Sequence, residues 1–385
     1  MKKNMNDKNV KGYIEGYYGK ILTWKSRDLI IKSLSKNKLN FYLYAPKEDI
    51  HHRLNWKKDY SKKWRLHFRK FSDNARRKNI KVIAGIAPGL DFNFNEISNK
   101  TKLDKNSDFA LLVKKAKQLL YDGATSIALL LDDIPANFTK KFGKQISEGE
   151  YHGILANKLL KELGEDIYFV PRVYADELIQ DDPLYLIELS KVLNPKINVF
   201  YSGKNVVSEC LTNYQKINSF LKNRIIFWDN FYANDYCPRR LFIGPYIGRQ
   251  KINDIMINPT GLIKTDLLIL DIYAKSISGK VFTKDWEKII NFHGVPKAFL
   301  KIKKFFLKPD FGSNPLVKSV SIKKSDFETL DFLLWKWKGK LSREWYPFML
   351  GLKQDLQIKK NLLTSERKIK TQTIPLSEFL IKGEL

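Results

Sequence analysis

The chain has 385 residues, 43% of them hydrophobic and 13% aromatic, with 69 Lys+Arg against 41 Asp+Glu for a formal charge of +28. That apolar content excludes a disordered chain, and no window approaches the ~18 consecutive apolar residues of a membrane span. The two cysteines, Cys210 and Cys237, are too few for a disulfide framework and have no metal-ligand spacing.

In chain order, eight short apolar or β-branched runs bounded by turn residues are predicted as strands in the first 260 residues. They are Gly12–Gly16, Asn40–Ala45, Lys81–Ala87, Ser126–Asp132, Ile167–Pro171, Ile197–Tyr201, Arg224–Asp229 and Asp254–Ile257. Amphipathic stretches alternate with them: Trp64–Asn79, Asp108–Tyr121 with Asp108 as its expected cap, Leu155–Leu163 and Leu184–Leu193. Eight strands alternating with helices predict an α/β fold, a (β/α)8 TIM-type barrel, with a doubly wound open sheet as the alternative. Beyond about residue 280 the pattern turns helical, over Ser325–Lys340 and Trp345–Leu363, with Pro and Gly breaks at Lys308–Pro315. We therefore expect a barrel domain in residues 1–280 and a helical C-terminal lobe in 281–385, with the two tryptophans of FETLDFLLWKWKGK packing on the barrel.

The charge invites a nucleic-acid reading, which its distribution opposes. Residues 281–385 hold 21 Lys+Arg against 11 Asp+Glu, a net +10, and the first 280 hold 48 against 30, a net +18. An excess spread over the whole chain, with no RNP-like aromatic motif and no zinc-finger spacing, is not a nucleic-acid footprint. The start, MKKNMNDKNVKGYIEG, is basic but has no apolar stretch behind it, so no signal peptide, no membrane partner and a cytoplasmic location are expected.

The most informative stretch is Ser126–Ile134, Ser-Ile-Ala-Leu-Leu-Leu-Asp-Asp-Ile, an apolar run that ends abruptly in two carboxylates. It reads as a strand buried on both faces, and functional groups of parallel α/β proteins gather at the carboxyl ends of strands. Two neighbouring acids there repel each other, which separates their protonation behaviour and suits acid/base chemistry; a helix cap beside a surface acid is the plainer reading. Adjacent strand residues face opposite ways, so Asp133 has to sit where the strand already turns into its loop. The residues that follow the eight strands are Gly16, Lys47, Asp91, Asp132, Asp133, Tyr174, Ser202, Asp229, Asn230 and Asn258. This set is rich in hydrogen-bonding groups and holds no histidine, so a polyhydroxylated, sugar-like ligand is expected, with no metal and no cofactor.

Four blocks, YIEGYYGK (13–20), LYAPKEDIHHR (43–53), ALLLDDI (128–134) and FWDNFYANDYCPRRLFIGPY (227–246), together resemble glycoside hydrolase family 84, the family of protein O-GlcNAcases and bacterial β-N-acetylglucosaminidases. The resemblance extends over roughly residues 12–275 and implies the (β/α)8 barrel. It also implies retaining hydrolysis of terminal β-linked N-acetylglucosamine, in which the substrate's own 2-acetamido oxygen forms an oxazoline. Asp132 would then orient and polarise the acetamido group, and Asp133 would be the general acid/base. By the same resemblance Tyr174 would bond the acetamido oxygen, and Asn230 would hold the acetamido group and the acids. Asp235 and Asn258 would bind the outer hydroxyls, Lys47 and the backbone of Gly16 would lie at the 3-hydroxyl, and Trp228 would form a wall. The implied partner is an N-acetylglucosamine-bearing glycoconjugate or glycosylated protein; monomer and homodimer both remain open.

The sequence departs from the family at Lys20–Thr23, where the usual step runs through Pro to Trp, at Arg172-Val173 in place of Thr-Glu, and at Tyr201 in place of Trp. These changes bear on the leaving group and leave the acid pair intact. The competing readings are a catalytically inactive N-acetylglucosamine-binding barrel, and the same chemistry on cell-wall or glycan fragments.

Overall fold

The computed structural model describes residues 9–19, 21–98, 105–143, 147–179, 183–211, 216–249, 251–278, 283–307 and 321–360. The expected break at Lys308–Pro315 and the end of the expected helix Trp345–Leu363 lie outside the described residues. The chain divides into two compact units, Met1–Asp235 with Tyr246–Val281, and Tyr236–Pro245 with Phe282–Leu385.

In the first unit eight parallel strands close into a barrel in simple sequence order, the last pairing with the first, which sets aside the open-sheet alternative. They are β1 (Lys11–Glu15), β2 (Phe41–Tyr44), β3 (Lys81–Ile86), β4 (Ser126–Leu130), β5 (Ile167–Val170), β6 (Asn198–Tyr201), β7 (Ile225–Asp229) and β8 (Ile255–Ile257). All fall within one or two residues of the stretches expected from hydrophobic pattern. The main helices of this unit are α1 (Trp24–Lys36), α2 (Lys62–Arg77), α3 (Asp108–Tyr121), α4 (Glu148–Leu163), α5 (Pro183–Val192) and α6 (Ile263–Ile277). Hydroxyl caps start four of them: Thr23 accepts from Ser26 N, Ser61 from Trp64 N, Ser107 from Ala110 N and Ser147 from Glu150 N. Asp108 is therefore not the cap of α3, as the sequence suggested. Ser107 holds that position, and Asp108 sits in the first turn, where a carboxylate meets the positive end of the helix dipole and also accepts from Asn93 N at 2.8 Å.

The side-chain period of two along each strand decides what lies inside the barrel. Ile14, Phe41, Leu43, Ala45, Ile83, Ala128, Leu130, Tyr168, Val170, Phe200, Ile226, Trp228 and Met256 pack together there as one buried cluster. The alternate residues face the helices. Tyr13 donates to Asp266 of α6 at 2.8 Å, and Glu15 accepts both guanidinium bonds of Arg27 of α1 at 2.8 Å, with Tyr42 donating to the same carboxylate. This buried pair is bidentate and further hydrogen-bonded, the condition under which a desolvated ion pair holds.

The second unit contains α7 (Thr283–Phe292), α8 (Lys324–Trp335) and α9 (Lys340–Lys359). Trp286, Phe299, Leu330, Leu333, Leu334 and Trp345 are among its buried side chains. The two tryptophans of FETLDFLLWKWKGK make ring contacts with residues of this unit. Trp337 is buried edge-on to Trp345 and donates to the Gly294 carbonyl at 3.0 Å. Trp335 lies off the apolar stripe of α8, is 53% exposed and meets Tyr346.

Two fully buried histidines tie the barrel's pH response to its packing. The His52 ring donates through Nδ1 to the Gly85 carbonyl at 2.9 Å, and His152 Nδ1 lies 2.8 Å from the Tyr185 hydroxyl. Burial pushes His52 down to about 4 and His152 to about 3. The folded state therefore keeps both neutral while the unfolded chain takes up protons below about 6.5. Their contribution is complete above that pH and is lost as pH falls through the range down to about 4. Thermal unfolding should show Tm dropping between about pH 7 and about pH 4; His152→Gln should start lower at neutral pH and fall less steeply.

Candidate active site

Continuing the inward period past the strand ends brings most of the chemistry together. Ile14 leads to Gly16, Leu43 and Ala45 to Lys47, Leu130 to Asp132, Val170 to Tyr174, Trp228 to Asn230, and Met256 to Asn258. Gly16 has to be glycine: a Cβ there would lie 2.3 Å from the Trp228 ring. That close approach lets the Gly16 N–H reach Asn258 Oδ1 at 3.2 Å. Asn258 Nδ2 and Trp228 Nε1 both donate to Asn230 Oδ1, at 2.9 and 3.0 Å, and Asn230 Nδ2 is spent on the Val206 carbonyl at 2.9 Å. Asp235 arrives from the loop after β7 and accepts from Tyr18 N at 2.9 Å.

Asp133 breaks the period, and the backbone shows how. β4 ends at Leu130, and Asp133 takes a left-handed conformation, φ +52°. For an L-residue this costs roughly 1 kcal/mol, least for Asp and Asn. The turn places the two acids on the same ammonium. Lys47 Nζ bonds Asp132 Oδ2 and lies 3.3 Å from Asp133 Oδ2, with only 2% of the lysine side chain exposed. Asp133 keeps 29% of its side chain open and accepts from Tyr174 at 2.9 Å and Tyr18 at 3.1 Å. Among the described residues, Asp132 Oδ1 is buried with no hydrogen-bond partner.

These contacts set the charge of Asp133. Burial raises its pKa, but the adjacent Lys47 ammonium and the Tyr174 and Tyr18 hydroxyls outweigh burial and hold it below the ordinary carboxylate value. Tyr174 is pushed far up, first by its own burial and then by the two anionic acids, so it remains a hydrogen-bond donor.

Three strand-end residues expected at the site are placed elsewhere. Asp229 falls on the outward period of β7 and is buried against Arg249, at 2.8 Å and 3.2 Å, with Tyr246 also donating to it. Asp91 accepts from Trp56 Nε1 at 2.6 Å and pairs with Lys57. Ser202 is buried, its backbone N–H donating to the Tyr174 carbonyl at 2.7 Å and its own carbonyl accepting from Ser208 Oγ at 3.3 Å. Two residues that reach Asp133 were given no role by sequence reasoning. Tyr18 had a signal, since it extends the inward series Ile14, Gly16. Arg53 had none, because its reach depends on how the loop after β2 folds.

A parallel barrel thus carries an ammonium-bridged acid pair and a cluster of amides and tyrosines at the carboxyl ends of its strands. The sequence model of the beta-N-acetylglucosaminidase family matches residues 11–292, and the chain belongs to that family. It is 32% identical over 266 residues to the Protein O-GlcNAcase of Rattus norvegicus and, equally, to that of Mus musculus. The match covers 64% of this chain and 28% of each of those proteins. Among the described residues no helix is long and apolar enough to cross a membrane.

Lys47 is the shared partner of both acids, so its loss leaves buried negative charge uncompensated. Lys47→Met should destabilise the protein by about 3 kcal/mol at neutral pH. Because the ammonium helps to hold Asp133 ionised, the deficit should shrink as pH falls toward about 4, where Asp133 of the variant takes up a proton that the unmodified protein's carboxylate does not. Urea unfolding at the two pH values checks this, and a deficit that is the same at both would contradict it.

Proposed function

We propose that this protein is a retaining β-N-acetylglucosaminidase that hydrolyses terminal β-linked N-acetylglucosamine by substrate assistance through an oxazoline. The observation that carries the reading is the unequal pair: Asp132 buried, with Oδ1 lacking a partner, beside Asp133, which is partly open and held by hydroxyls. An unsatisfied buried carboxylate oxygen is costly, and an acetamido N–H is the donor it suits. Accepting that N–H, Asp132 would raise the nucleophilicity of the acetamido oxygen, which attacks the anomeric carbon of its own sugar. Asp133 would protonate the departing oxygen and then take a proton from the incoming water. Tyr174 would turn from Asp133 to the acetamido oxygen as the ring closes. Gly16, Lys47, Trp228, Asn230, Asp235 and Asn258 would bind the sugar, and residues 1–280 would carry the activity.

In the free protein Asp133 is ionised, so it must gain a proton before it can donate one. A neutral sugar would supply the means by drawing Tyr174 away and excluding water, both of which raise the carboxyl's pKa. Binding of a neutral N-acetylglucosamine-type inhibitor near pH 6 should therefore take up as much as one proton. Calorimetry in buffers of different ionisation enthalpy measures this, and proton release would contradict the assignment.

The substrate class follows the same reading: an N-acetylglucosamine-bearing glycoconjugate or glycosylated protein, acted on in the cytoplasm, where the thiols of Cys210 and Cys237 would stay reduced. The decisive experiment is hydrolysis of aryl β-N-acetylglucosaminides by the purified protein. Turnover should persist in EDTA and be absent for the matching glucosides. Asp132→Asn should lower turnover for every N-acetylglucosaminide. Asp133→Ala should cost about 100-fold or more on poor leaving groups and little on acidic phenols. A folded protein that binds such inhibitors without turnover would support the inactive binding barrel instead.

A further inference from the structure

We propose that Arg53 is a positioning residue for the general acid, acting on Asp133 both through its backbone and through Tyr18. The inference rests on the role proposed above for Asp133. Arg53 is buried, 9% exposed, on the loop after β2. That loop is pinned to the end of β3: the His52 ring bonds the Gly85 carbonyl, and the His52 carbonyl accepts from Ala87 N at 2.9 Å. The guanidinium therefore projects from a fixed base. Nη2 donates to the carbonyl oxygen of Asp133 at 2.6 Å, and Nη1 donates to the Tyr18 hydroxyl at 3.0 Å.

The direction of these bonds matters. A guanidinium only donates, so the Tyr18 oxygen must accept from Arg53, and its single proton is turned toward Asp133 Oδ2, 3.1 Å away. Arg53 thus controls the acid twice. It fixes the carbonyl of the one residue in β4's extension that takes a left-handed backbone, and it commits Tyr18 as a donor to the carboxylate. When Tyr174 moves to the acetamido oxygen, Tyr18 is left on Oδ2, and Oδ1 is the oxygen free to carry the proton to the leaving group. A donor on Oδ2 also stabilises the anion that remains after transfer.

The test combines Arg53→Leu and Tyr18→Phe with leaving-group dependence and the Asp133→Ala background. On a poor leaving group such as phenol, kcat/KM for Arg53→Leu should fall about tenfold or more, a fraction of what general-acid catalysis supplies. On a dinitrophenyl substrate it should fall less than about threefold, and in the Asp133→Ala background the substitution should cost nothing further. Tyr18→Phe, at a residue 46% exposed and so safe for folding, should move the pH limb governed by Asp133 upward, because the lost donor favoured the anion. Arg53→Lys should recover part of the loss.

Equal losses on both substrates, with a further loss on top of Asp133→Ala, would show that Arg53 is merely structural. An unmoved pH limb in Tyr18→Phe would overturn the relay through that hydroxyl. Absence of turnover by the unmodified protein would overturn the hydrolase reading itself and this inference with it, an outcome separable from the others because it appears before any substitution is made.

Discussion

Two carboxylates on consecutive residues at the end of a buried strand repel each other and lose hydration, and the Lys47 ammonium between them is what makes that arrangement compatible with a folded barrel. Much of the candidate site is arranged around this bridge. It leaves Asp132 with one oxygen engaged and one buried without a partner, and it lowers the pKa of Asp133 despite burial. The tyrosines that surround Asp133 are consequences of the same charge. A hydroxyl next to an anion in a poorly hydrated place keeps its proton and donates it, as Tyr174 and Tyr18 do.

Around the bridge, the barrel works through a period of two. Inward positions of six strands, extended by two or four residues, land at the mouth, which is why a glycine, a lysine, an acid, a tyrosine and two asparagines from different strands meet there. The same rule sends Asp229 outward to Arg249, although it is as close to a strand end as any of them. Asp133, directly after Asp132, violates the period, and it does so at the cost of a left-handed backbone. Strain of this kind is retained where surrounding contacts over-determine it, and the bond from Arg53 to the Asp133 carbonyl is one such contact.

Under the proposed mechanism, ligand-induced change in the surroundings of Asp133 would reconcile its ionised state in the free protein with the protonated state that a general acid needs. Its depressed pKa derives partly from Tyr174, a donor that the proposed reaction redirects. Coupling of this sort would make protonation part of binding, so that the acid would be armed only when a sugar is present. The departures from the family at Arg172 and Tyr201 are absorbed elsewhere: Arg172 pairs with Glu148 at 2.7 and 2.8 Å, and Tyr201 donates to Asp176 at 2.7 Å. Both are structural bonds at the ends of β5 and β6, consistent with an intact acid pair.

The sequence by itself determined the architecture and pointed to the acid pair as the candidate site. Buried parallel strands are uninterrupted apolar runs, so their number and limits were legible to within two residues, and an abrupt Asp-Asp after Leu129–Leu131 marks a functional strand end. Tertiary structure alone decided which strand-end residues face the ligand, because Asp229 and Asn230 are neighbours whose fates differ only by strand phase. It also decided the place of Trp335, which hydrophobicity would bury and which the phase of its helix leaves exposed. Arg53 lies furthest from what sequence can reveal. Its two bonds join the loops after β1, β2 and β4, and only closure of the barrel brings residues 18, 53 and 133 within hydrogen-bonding distance.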